Sequence, residues 1–75
     1  MIDNKAVAYE ISELMVEFSK RLNTSLIKVQ RDCSAREFEV YRLAVGKVLG
    51  EVLLEIMNPL YASHPTLKPE GWDDE

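Results

Sequence analysis

Two side chains in this sequence have the chemistry of a nucleophile and a general base, Cys33 and His64, and each is the only residue of its kind. A thiol acts as a nucleophile when it is reachable and its pKa is lowered. An imidazole base needs an orienting partner within hydrogen-bond reach. His64 stands between Ser63 and Pro65 with no carboxylate beside it. In any hairpin reading of the chain, Cys33 falls at the opposite end. The pairs Glu10/Glu13 and Glu51/Glu55 have helical spacing. A di-metal bundle site, however, wants inward carboxylates with Glu-x-x-His motifs, and these glutamates map to outer faces without a histidine. There is no phosphate-cradling glycine loop and no serine-nucleophile motif. The expectation is a protein that is not an enzyme, with no cofactor and no metal.

The bulk properties turn attention to association. A chain of 75 residues is one small domain with a modest core, often supported by a disulfide, a metal or a partner. One cysteine excludes an internal disulfide, so oligomerisation is the remaining support. A single free thiol without a secretory signal points to a reducing, cytoplasmic setting. The longest uncharged run falls well short of the roughly 18 apolar residues of a membrane span. Asn23-Thr24-Ser25 matches a glycosylation acceptor but lies within a helical pattern, which argues against its use.

The hydrophobic spacing predicts an all-α antiparallel hairpin of two long helices, near 4–31 and 35–58, followed by an extended tail. In the first helix Val7, Ile11, Leu14, Phe18, Leu22, Leu26 and Val29 recur at steps of three and four. Asp3 or Asn4 can cap it. Tyr9, Val16 and Ile27 fall off this stripe. The second helix opens on Ser34-Ala35-Arg36-Glu37, which fits a capping box, with Cys33 and Phe38 placed for a hydrophobic staple across it. So short a connection makes the helices antiparallel neighbours.

The second helix is apolar on two sides. Phe38, Tyr41, Val45, Val48, Leu49, Val52 and Ile56 suit packing on the first helix. Leu43, Gly46, Gly50, Leu53 and Met57 form another face, and Lys47, Glu51 and Glu55 form a single charged stripe. A helix that is apolar most of the way round is buried on more than one side. This second face is the expected interface of a homodimeric four-helix bundle, its glycines admitting a close backbone.

Pro59 should end or bend the second helix, with Asn58 able to cap one further turn. Residues 1–58 then form the hairpin and 59–75 a proline-containing tail with an acidic end. Leu60, Tyr61, Leu67 and Trp72 are spaced to dock, either on their own bundle or in a partner's pocket.

The net charge of −4 is unevenly spread. Residues 1–19 carry −3, residues 20–42 carry +3 and residues 43–75 carry −4. In a hairpin the basic residues gather toward the hinge and the acidic ones toward the open end. The functional expectation is a small cytoplasmic interaction module, an adaptor, regulator or inhibitor, that pairs with itself and with a partner protein. The alternative is a nucleic-acid-binding dimer that uses Lys20, Arg21, Lys28, Arg31 and Arg36 at the hinge.

Overall fold

The computed structural model describes residues 1–69 and is an all-α hairpin in this range. Helix α1 runs Lys5–Asp32 and helix α2 runs Ala35–Val52. A π-helical turn, Leu53–Met57, joins α2 to a short helix α3, Asn58–Ser63, and a 3₁₀ turn, Pro65–Leu67, follows. The molecule measures 44 × 20 × 18 Å, its long dimension matching the about 1.5 Å rise per residue of α1. Its radius of gyration of 14.6 Å exceeds the roughly 11 Å of a compact domain of this size. The fold is one layer of two helices, and it leaves large flanks open.

The ends of the helices follow from side-chain chemistry. Asn4 Oδ1 accepts from Val7 N–H at 3.1 Å and starts α1. Cys33 N–H donates to Val29 carbonyl oxygen at 2.9 Å and closes it. The expected capping box is complete. Ser34 Oγ accepts from Glu37 N–H at 3.1 Å, and Glu37 Oε1 accepts from Ser34 N–H at 3.0 Å. Cys33 is exposed and Phe38 only half-buried, so the box stands without a sealed staple across it.

The second helix does not stop at Pro59. Asn58 has helical dihedrals, φ −62° and ψ −48°, and its N–H reaches back five residues to Leu53 carbonyl oxygen. Proline lacks an N–H and its ring crowds the carbonyl four residues earlier. The wide turn just before it accommodates both defects without breaking the helix. A π turn holds one extra residue, so everything beyond it is rotated by about 100° relative to a straight α-helix. That rotation brings Met57, Leu60 and Tyr61 round toward α1. The helical run therefore passes through the expected boundary at 58 and ends at Ser63.

The core sits at the open end of the hairpin. Ala8, Met57, Leu60 and Tyr61 are its buried members, and Ile2, Ile11, Met15, Val16, Val52, Leu53 and Leu67 pack around them. Ser12 and Tyr61 hydroxyls share a buried hydrogen bond of 2.6 Å that ties α1 to α3. The N-terminus is pinned here as well. Met1 N donates to Ser63 Oγ at 3.1 Å, and His64 Nε2–H donates to Ile2 carbonyl oxygen. Nearer the hinge, Tyr41 and Ser25 hydroxyls meet at 2.6 Å. Ser25 donates its one proton to Leu22 carbonyl oxygen, so Tyr41 is the donor in that pair.

Candidate interaction surface

The residues with reactive side chains lie far apart. Cys33 is at the hinge, while His64 is held at the opposite end by Ile2. Among the described residues no group of three or more His, Cys, Asp or Glu side chains is placed to hold a metal ion. No helix among them is long and apolar enough to cross a membrane. The features that stand out are apolar side chains left uncovered on two flanks.

The first flank is a groove of about 400 Å³ between α1 and α2. Leu14, Phe18 and Leu22 form its floor, Tyr41 and Ser25 close its hinge end, and Glu17 and Arg21 stand on its rim. Leu14 is 55% exposed and Phe18 39%, although both belong to the main apolar stripe of α1. Val7 and Val48 are also exposed. The sequence pattern assigned Leu14, Phe18 and Val48 to the contact between the helices. The width of the stripe was the available warning. One helix covers only part of so broad an arc, and the best-buried side of α1, at Ala8 and Ser12, is the one covered by Met57, Leu60 and Tyr61.

The second flank is the outer face of α2. Val40, Leu43 and Leu54 are exposed there, and with Lys47 and Gly50 they recur at alternating steps of three and four. Gly46 and Gly50 are on open ground, since a Cβ built on either meets no atom within 4 Å. They do not relieve crowding against α1. The expected interface on this helix needs correction at its C-terminal end. Met57 is only 2% exposed and lies in the chain's own core, and Leu53 packs against that core. For Met57 the π turn is the cause, because it swings that residue away from the face of Gly46 and Gly50; Leu53 stands at the start of the turn. Leu43 and the glycines remain accessible, with Gly50 half-buried.

The tail residues expected to dock do so on their own chain. Leu60 and Tyr61 are buried, which leaves neither a surface for another protein, and Leu67 packs half-buried beside them. Trp72 lies outside the described residues. Tyr9 and Ile27 are exposed as expected, while Val16 is half-buried against the core.

The basic residues are only partly gathered. Lys20, Arg21 and Lys28 line one shallow depression on α1 with Glu17, Thr24 and Ser25, and it adjoins the groove through Glu17, Arg21 and Ser25. Arg31 instead pairs with Asp32 at 3.2 Å, and Lys28 Nζ comes within 4.0 Å of the same carboxylate. Arg36 lies on α2, beyond the hinge from the rest. On α2 Arg42 hydrogen-bonds Glu39. That bond and the guanidinium charge hold the Glu39 carboxyl below the usual glutamate range. Glu39 in turn raises Arg42.

No protein-family model matches the chain, and neither a curated protein nor a solved structure shows significant similarity to it.

Proposed function

We propose that the chain is a non-enzymatic interaction module that works as a homodimeric helical bundle and presents a further apolar face to a protein partner. The observation that carries this reading is the pair of uncovered flanks on a two-helix layer whose open end is already sealed. Large apolar side chains that recur at helical spacing and remain half-exposed mark an association surface more often than a free one. The exposed thiol of Cys33 fits a cytoplasmic setting, where thiols stay reduced.

Light scattering over a range of concentrations tests the reading. A dimer that persists on dilution supports it. A well-folded monomer at every concentration refutes it.

A second reading is supported by the shared depression of Lys20, Arg21 and Lys28. In that reading the dimer binds nucleic-acid phosphates through these residues, with Arg31 and Arg36 beyond them. Binding of a labelled RNA or DNA duplex that weakens steeply with salt, and fails when Arg31 and Arg36 are replaced, would support it. Absence of binding at low salt would remove it.

A further inference from the structure

We infer that the groove between α1 and α2 is filled by a second copy of this chain, turned end for end so that α1 lies antiparallel on its symmetry mate. The inference rests on the homodimer reading above and adds the face, the direction and the register.

The face is set by exposure. Leu14 and Phe18 lie open in the groove beside Tyr41 of α2. A second hairpin laid on this side closes a four-helix bundle. One laid on the outer face of α2 leaves the groove open.

The direction is set by charge. Two hairpins stacked face to face are related by a twofold axis either along the helices or across them. An axis along the helices puts α1 of one copy over α2 of the other with the open ends together. Glu10 and Glu17 would then lie toward Glu51 and Glu55, acid against acid. An axis across the helices reverses one hairpin. The acidic half of α1 then lies over the basic half of its mate, and opposite charges across an interface fix orientation in this way.

The register is set by spacing. Glu17 and Arg21 are equidistant from residue 19, and so are Glu10 and Lys28. At about 100° per residue these four positions fall within about 40° of one another on α1, beside Leu14. A twofold axis at residue 19 sets each glutamate opposite a cation of the second copy, giving Glu17 with Arg21 and Glu10 with Lys28, each twice. Within the chain Glu10, Glu17 and Arg21 make no ion pair with another described residue, and Lys28 only reaches Asp32 at 4.0 Å. Glu17 and Arg21 on the groove's rim, and Glu10 and Lys28 in line with them along α1, are thus available to a second copy.

The test is a charge-reversal exchange followed by light scattering, with helical circular dichroism to establish folding. One variant carries Glu10→Lys and Glu17→Arg, the other Arg21→Glu and Lys28→Glu. Each alone should self-associate about tenfold or more weakly at low salt, because all eight facing charges become alike. Mixed in equal amounts, the two should recover a heterodimer of at least the original affinity. The same reversals at Glu13 and Lys20, about 100–120° round α1 from Leu14, should leave self-association unchanged. A wild-type chain that stays monomeric sinks the homodimer reading and this inference together. A wild-type dimer whose affinity survives the reversals, or a folded mixture that fails to pair, sinks this inference alone. Equal sensitivity to Glu13 and Lys20 also overturns it.

Discussion

The hydrogen bond between Ser12 and Tyr61 offers a quantitative test of how the open end is held. The two hydroxyls are 2.6 Å apart, and Ser12 and Tyr61 are 4% and 2% exposed. Water cannot readily replace either partner. Ser12→Ala removes this bond, and the loss of one hydrogen bond costs about 0.5–1.5 kcal/mol. Tyr61→Phe removes the same bond from the other side. A serine within a helix can bond back to the carbonyl four residues earlier, here that of Ala8, so its hydroxyl is not stranded. The double variant removes both groups together, so its loss should fall below the sum of the singles by about 1 kcal/mol. A domain of this length has roughly 4–11 kcal/mol of total stability, so each loss is easily measured. Urea denaturation followed by circular dichroism is the assay, with a slope of about 1 kcal/mol per molar for small proteins. The urea midpoint of Ser12→Ala should therefore fall by about 0.5–1.5 M. All chains are compared at one protein concentration, because self-association makes apparent stability depend on it. Strict additivity, or a Ser12→Ala variant as stable as wild type, would refute the argument that α3 is fastened to α1 through this bond.

Three further perturbations have defined outcomes. Ser34→Ala removes the acceptor of the capping box and should cost about 1 kcal/mol, a fall of roughly 4–8 °C in Tm by calorimetry. Gly46→Ala and Gly50→Ala should each stabilise the folded chain by about 0.5–1 kcal/mol in thermal denaturation, since both sit inside a helix with open space around the new methyl; a loss of stability would mean that another backbone lies against them. The Glu39 carboxyl should titrate below the ordinary glutamate range by NMR, because Arg42 favours its charged form. Its folded pKa is depressed, so its stabilising contribution is present above the unfolded pKa and is lost as pH falls through the folded value. Arg42→Gln should return the titration to the ordinary range.

The helices, their starts and the hinge were legible because local rules govern them. The steps of three and four in α1, the Asn4 cap and the reciprocal bonds of Ser34 and Glu37 involve residues within a turn of one another. No distant part of the chain can alter them much. The separation of Cys33 from His64 within one chain was legible for a similar reason. A two-residue hinge fixes the direction of the second helix, so Cys33 and His64 must lie at opposite ends.

The tertiary structure decided what the stretch after Val52 does. Helical projection carries an angle forward from residue to residue, so one π turn displaces every later residue by about 100°. That displacement moved Met57 from the expected interface into the core and carried Leu60 and Tyr61 with it. Nothing in the spacing of these residues marks the turn, because it depends on how Pro59 is accommodated while the segment packs on α1. The groove has the same origin. The sequence showed that α1 and α2 hold more apolar surface than one contact can bury. Which part of that arc stays open depends on the rotation of each helix about its own axis. The hydroxyl pairs Ser12–Tyr61 and Ser25–Tyr41 help set that rotation, and each joins residues far apart in the chain.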